Sequence, residues 1–388
     1  LAPHGLRRGK SGVSVPVNDG PASRVVAGEN PESGRLEQRL ERHNNFDLLR
    51  LVAALSVIFS HAFLLAENSQ DHDPLMILTG GQAILGLAGV FVFFTISGYL
   101  ISQSFDNTPS PVVFLAKRAL RIFPGLLGCL LVCVFVIGPL VTALPLGEYL
   151  ARPETYLFLL HNAVLDVDHN RLPGVTFWPG NIGGIVDGPL WSLPCEALLY
   201  LMLFGLGVCR LLTLPVTALL LAAGIAALWL DTAGETFGSA LWLLGFFAAG
   251  TCLYRLRACG PRLFAWHWTM LALIGLALSI PAHLFLVAFP LFGGYLVIYL
   301  ALSRRLPVVR AARFGDLSYG LYIYGWPIEQ CVVYFSGATA PWWAVFLIST
   351  AVTVPVAFLS WHLIEKRCRW RSRTAARPAL AAAAATGN

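Results

Sequence analysis

Apolar residues run along this chain in stretches of about 20, the length a helix needs to cross a ~30 Å hydrocarbon core, with short polar segments between them. Ten windows predict spanning helices: 46–66, 84–105, 122–144, 190–209, 212–230, 239–256, 266–280, 283–302, 317–335 and 342–364. The seventh is short, and Pro281 breaks it from the eighth, so these two read as halves of a hairpin. Residues 156–165 read as a re-entrant or interfacial helix. The expected fold is an all-α integral membrane protein of about ten transmembrane helices.

Composition agrees with the pattern. Of 388 residues, 56% are hydrophobic and only 12% charged, whereas a soluble domain carries about a quarter charged residues. The net charge of +6 changes the picture only through its distribution. All but three of the 27 Lys and Arg fall in the N-terminal segment, the alternate loops on one side, and the C-terminal tail. The exceptions are Arg50 within the first span and Arg152 and Arg171 in the other set of loops. By the positive-inside rule both termini are cytoplasmic and the long loop 145–189 is external. The charge therefore reports orientation in a bilayer, not nucleic-acid binding, and no aromatic-interleaved basic patch accompanies it.

Residues 1–45 are polar and lack the apolar run of a cleavable signal peptide, so they read as a disordered cytoplasmic segment and the first span directs insertion. Residues 46–369 form the membrane domain, and 370–388 a low-complexity cytoplasmic tail. Eight cysteines are scattered with no C-x-x-C pair; Cys129 and Cys133 share a helix face and read as packing residues. Neither a disulfide nor a metal site is expected. His72, His161 and His169 belong to the outer side, and no histidine cluster shows metal-ligand spacing.

Candidate chemistry comes from ionisable residues inside spans, which cost at least ~2–3 kcal/mol if charged at mid-depth and usually face a protein interior or a water-filled cavity. The first span holds two, Arg50 and His61. Eleven positions at about 1.5 Å each put them roughly 16 Å apart along one helix, towards opposite faces. Glu196 lies as far inside the start of the fourth span as His61 lies inside the end of the first. Both sit about 8–9 Å below the outer boundary. A carboxylate beside an imidazole fixes its tautomer and suits general-base work on an alcohol. Against this, Pro194 is a good first helical residue and would leave Glu196 as a first-turn carboxylate complementing the helix dipole.

Six segments in order carry a resemblance: FDLLRLVAALSVIFSHAF, GVFVFFTISGYLIS, FLAKRALRIFP, GPLWSLPCEALLYL, DLSYGLYIYGWP and FLSWHLIEKR. Together, from about residue 46 to 369, the chain resembles the acyltransferase 3 family of integral membrane O-acyltransferases. The family's basic residue, ten residues, then histidine falls on Arg50 and His61, its Arg-x-x-Arg on Arg118 and Arg121, and its Trp-Ser-Leu-x-x-Glu on Trp191, Ser192 and Glu196.

The resemblance implies transfer of an acyl group, acetyl first, from cytoplasmic acyl-CoA to a hydroxyl of a sugar acceptor. That acceptor is a surface polysaccharide or its lipid-linked precursor, and the enzyme sits in the bacterial cytoplasmic membrane. Arg118, Arg121 and Arg50 would hold the phosphates of the coenzyme, with a positive-inside anchor as the plain alternative for the first two. His61, oriented by Glu196, would remove the acceptor proton or carry the acyl group transiently. Trp191 and Ser192 would shape the acceptor pocket. Where many members have aromatic-His-aromatic-Pro, this chain has Tyr324, Gly325, Trp326 and Pro327, which concentrates suspicion on His61. A transporter or flippase for lipid-linked sugars is the competing class, because ten spans with intramembrane ionisable groups suit it too.

Overall fold

The computed structural model describes residues 44–108, 110–177, 184–231, 236–257, 260–303 and 311–368. The expected N-terminal segment up to residue 43 and the tail from 369 lie outside the described residues. Every regular element among the described residues is helical. In chain order these are α1 (Phe46–Glu67), the short α2 (Pro74–Thr79), α3 (Leu85–Asp106) and α4 (Pro111–Val132). A π-helical turn (Cys133–Ile137) and Gly138–Val141 continue α4. On the loop that follows lie α5 (Leu146–Ala151) and α6 (Pro153–Ala163). A 3₁₀ turn (Gly188–Trp191) leads into α7 (Ser192–Val208), then α8 (Leu214–Trp229) and α9 (Thr236–Arg257). The last are α10 (Trp266–Ser279), α11 (Phe285–Ala288), α12 (Phe292–Leu302), α13 (Ser318–Phe335) and α14 (Trp342–Ser360), which runs on to Cys368 through a second π-helical turn.

Six of these rods among the described residues are long and apolar enough to cross a membrane: α1, α3, α4, α7, α9 and α14, counted with their continuations. The other four windows also fall on helix, but α8, α10 and α12 have 16, 14 and 11 residues, short of the ~20 that span a bilayer alone. The segment expected as a re-entrant or interfacial helix, 156–165, falls largely on the helix α6. This helix buries Thr155, Phe158 and Asn162 on one face and exposes Leu157, Leu160 and Tyr156 on the other.

One boundary moves substantially. The third helix starts at Pro111, not at residue 122, because Pro at N1 pre-sets the helical φ and a hydropathy window excludes Lys117, Arg118 and Arg121 although they sit on helix. The break at Pro281 is present and capped from a distance: Gln82 donates to Ile280 O (2.8 Å) and accepts from Phe285 N (2.9 Å). One side chain thus satisfies backbone groups on both sides of the gap, as buried helix ends require.

Two devices position the site. The buried Asp73 carboxylate accepts from Leu75 N, Met76 N and Leu85 N, capping α2 and α3 together, and from Ser60 Oγ at 2.6 Å. It therefore anchors the part of α1 that carries His61. The second is close packing of α3 on α9, where a Cβ on Gly98 would stand 1.9 Å from Phe247 O and one on Gly250 2.0 Å from Thr95 O. Small residues let backbones approach this closely. Overpacking typically costs about 1–3 kcal/mol, and here the clash is with backbone, so Gly98→Val is expected to abolish folded protein. Size-exclusion chromatography in detergent checks this, with Gly205→Ala as control, since nothing lies within 4 Å of a Cβ there.

α13 occupies the centre. Every residue from Ser318 to Gln330 is buried, Glu329 and Gln330 included. This stretch of α13 has no lipid face, which is why polar groups along it are tolerated.

Candidate active site

A cavity of about 350 Å³ opens between α1, α3, α4, α7 and α13. Its walls hold Arg50, Lys117, Arg118 and Arg121 as cations and Glu196 as a carboxylate, with Ser97, Ser192, Tyr200, Tyr319 and Tyr322 among them. Five of the seven residues singled out in the sequence therefore meet in one place: Arg50, Arg118, Arg121, Ser192 and Glu196. Trp191 and His61 are not among the lining residues.

The three arginines are not equivalent. Arg121 is engaged, with Nη2 3.0 Å from Asp316, Nη1 3.8 Å from Glu365 and its guanidinium 5.2 Å from the Tyr319 ring. Arg118 lies 5.8 Å from the Phe114 ring and 6.0 Å from Tyr200, makes no ion pair among the described residues, and leaves its buried Nε without a hydrogen-bond partner. Lys117 donates to Thr108 Oγ1 at 3.1 Å. With Arg121 held by Asp316 and Glu365, Arg50, Lys117 and Arg118 still face the one lining carboxylate, Glu196, and keep the cavity a positive chamber suited to phosphates.

Glu196 is held on the cavity side. Its Oε1 accepts from the Tyr200 hydroxyl one turn along α7, and Ser97 Oγ lies 3.5 Å away. This corrects the expected pairing with His61, because Glu196 is not within ion-pair distance of that imidazole. Equal depth on two antiparallel helices does not fix azimuth, and the carboxylate turns towards the arginines.

The carboxylate that faces His61 is Glu329. Its Oε2 lies 3.7 Å from His61 Nδ1, and the side chains are 16% and 0% exposed. His61 Nδ1 and both Glu329 oxygens have no hydrogen-bond partner. Trp326 packs edge-on against the imidazole, centroid to centroid 4.8 Å, and donates from Nε1 to Ile185 O (3.3 Å), which also receives Gln330 Nε2 (3.1 Å). An isolated buried carboxylate is costly by several kcal/mol; a partner that can accept a proton relieves it. The signal that would have found Glu329 was available, since it is an acidic residue inside a predicted span.

α13 joins the two places. Tyr319 and Tyr322 line the cavity, while Trp326 and Glu329 stand beside His61. Spacings of four and seven from residue 322 keep these on one helix face, so His61 lies roughly 10 Å beyond the inner end of the cavity at 1.5 Å per residue. Between them Tyr322 OH bonds Ser192 Oγ at 2.7 Å, and both hydroxyls lie near Pro189 O, at 3.1 and 3.3 Å. Trp191, on the preceding turn, offers its carbonyl to Cys195 Sγ and does not line this cavity.

Two groups of potential metal ligands also converge among the described residues, a proximity that spacing along the chain does not reveal. They are Cys129, Cys133 and Asp187, and His161, Asp166 and His169, each set with ligand atoms within 4.8 Å of one another.

Comparison with known proteins gives the rest. Residues 43–362 match a family described as an acyltransferase domain. The chain is 28% identical over 343 residues to an O-acetyl transferase of Shigella phage Sf6, covering 86% of this chain and 98% of that one. It is 29% identical over 358 residues to nodulation protein 10 of Rhizobium leguminosarum bv. viciae, covering 83% and 92%. No solved structure matches.

Proposed function

From the premise that the chain belongs to the acyltransferase 3 family of membrane O-acyltransferases, shown by the match over 43–362, we propose that its donor is acyl-CoA, its acceptor a sugar hydroxyl, and His61 its general base. The family makes the protein an O-acyltransferase; acetyl is the first candidate for the acyl group, because one relative is named an O-acetyl transferase. The single observation that carries the donor assignment is the positive cavity of Arg50, Lys117, Arg118 and Arg121. Coenzyme A brings phosphates to such a chamber and a long, thin pantetheine arm that can reach past Tyr322 and Ser192 towards His61.

In this reading Arg118 is a phosphate fork, since its guanidinium forms no ion pair among the described residues and its buried Nε has no hydrogen-bond partner. His61 takes the acceptor hydroxyl proton as the oxygen bonds to the thioester carbonyl carbon, Glu329 stabilises the imidazolium that forms, and the carbon–sulfur bond breaks to release coenzyme A thiolate. The imidazolium returns the proton to that thiolate. Glu196 belongs to the donor end, where Tyr200 orients it. The acceptor is a surface polysaccharide or its lipid-linked precursor, approached from the outer side of the bacterial cytoplasmic membrane, while Arg50 and the Arg-x-x-Arg pair face the cytoplasm.

Purified protein in detergent, given acetyl-CoA and a lipid-linked glycan, is expected to release free coenzyme A only when acceptor is present. A transporter or flippase would move an unchanged molecule and release none. Arg118→Ala is expected to raise the KM for acyl-CoA about tenfold or more, the size of a lost charge-assisted hydrogen bond, with kcat little changed and Lys restoring it only in part. Arg121→Ala is expected to act on folding, because removing one partner of a buried ion pair costs about 3–5 kcal/mol. Unchanged donor kinetics in well-folded Arg118→Ala would return this residue to membrane anchoring. Mass spectrometry of surface glycans from cells with and without the gene identifies the acceptor.

A further inference from the structure

The loop 145–189 carries a feature that the acyl-transfer site does not use. At the end of α6, His161 Nδ1 lies 2.7 Å from Asp166 Oδ2 and His169 Nδ1 lies 3.3 Å from the same oxygen. The two imidazoles stack with centroids 3.8 Å apart and planes 19° from parallel. One carboxylate oxygen thus faces two imidazole nitrogens at once. A divalent cation takes both nitrogen lone pairs and the carboxylate at once.

Two of the three separations already suit such an ion. With bonds of about 2.0–2.1 Å, tetrahedral ligand atoms stand about 3.3 Å apart, against 2.7 and 3.3 Å from Asp166 Oδ2 to the two nitrogens; the stacked rings would have to turn out of parallel for both lone pairs to meet at one ion. The backbone already holds the cluster. Asp166 N donates to His161 O (2.9 Å), Leu165 takes a left-handed φ of 67° to turn the chain back, and the buried Asn162 amide donates to Phe158 O (2.8 Å) and His169 O (3.1 Å). The three side chains are 33%, 40% and 55% exposed, leaving solvent access and room for a water as fourth ligand.

We propose that His161, Asp166 and His169 form a zinc site of two imidazoles and one carboxylate on the outer loop, a donor set that suits zinc. Its consequence is mechanical. The residue after His169 is Asn170, whose side chain pairs with both backbone groups of Asp187 and whose carbonyl receives Val186 N (3.0 Å). Asp187 immediately precedes the turn Gly188–Trp191 that delivers Ser192 to the cavity. Zinc would therefore staple the end of α6 to the segment that sets this turn.

The test uses the full-length protein in detergent, free of any histidine tag. Titration calorimetry with Zn²⁺ is expected to show one high-affinity ion per chain. His161→Ala, His169→Ala and Asp166→Asn should each weaken it at least tenfold, since even outer-shell partners of a metal site contribute about 10–100-fold. Zn²⁺ should also slow trypsin at the exposed Arg171 in the wild type and not in the variants; Arg152, followed by Pro153, is no competing trypsin site. Cobalt in place of zinc should give visible bands with no thiolate charge-transfer band. Wild-type protein that takes up no zinc, or a His161→Ala/His169→Ala double variant that binds it unchanged, overturns the proposal. A thiolate band in the cobalt protein does so too, by placing the ion on Cys129, Cys133 and Asp187.

Discussion

His61→Ala is expected to lower kcat for acyl transfer by at least about a hundredfold, the usual size of a lost general base, while the KM for acyl-CoA stays the same. The split follows from the geometry. His61 stands apart from the cavity that holds the cations, on the far side of Tyr322 and Ser192, with its Nδ1 towards Glu329 and its ring against Trp326. It can touch the acceptor oxygen and the acyl carbon without touching the nucleotide end of the donor. Steady-state kinetics on protein of normal size-exclusion profile decides the matter. Turnover above about a tenth of wild type would remove His61 from proton transfer, since general-base catalysis contributes about 10²–10⁴-fold.

Glu329→Gln separates a positioning residue from a structural one. The substitution keeps the volume and removes a carboxylate whose two oxygens have no hydrogen-bond partner, so thermal stability in detergent should hold or rise. The kcat should nevertheless fall by roughly ten- to a hundredfold, part of the 10²–10⁴ that a positioned base supplies, because the imidazolium formed during transfer loses its counter-charge. Glu196→Gln is expected to act on the donor side, raising the KM for acyl-CoA rather than depressing kcat as Glu329→Gln does, since its Oε1 is bonded to Tyr200 within the arginine cavity. A Glu329→Gln enzyme with wild-type kcat, beside a Glu196→Gln enzyme with a collapsed one, would restore the pairing expected from depth.

How much of this was legible in advance varies with the range of the physics. Helices at the ten windows were legible because a bilayer demands apolar runs with internally satisfied backbones, and that demand is local. Arg50 and His61 stood out for the same reason. The start of α4 was not, because Lys117, Arg118 and Arg121 hide a helix from any hydropathy average, although they face a cavity instead of lipid. Glu329 was visible as an intramembrane acid, yet nothing local distinguishes a carboxylate that meets His61 from one that meets Tyr200.

The sequence by itself determined the helical class, the charge asymmetry, the family and the candidate residues for the chemistry, Arg50, His61, Arg118, Arg121 and Glu196, with Trp191 and Ser192 as candidate pocket residues. These depend on composition and on short motifs, and a helix axis converts spacing directly into depth. The tertiary structure decided which acid faces His61, which arginine is already held by carboxylates, and that one face of α13 runs from Tyr319 at the cavity to Glu329 at the imidazole. Depth is a coordinate along one helix, whereas partnership also needs azimuth and neighbour, and those come only from how α1, α4, α7 and α13 pack together.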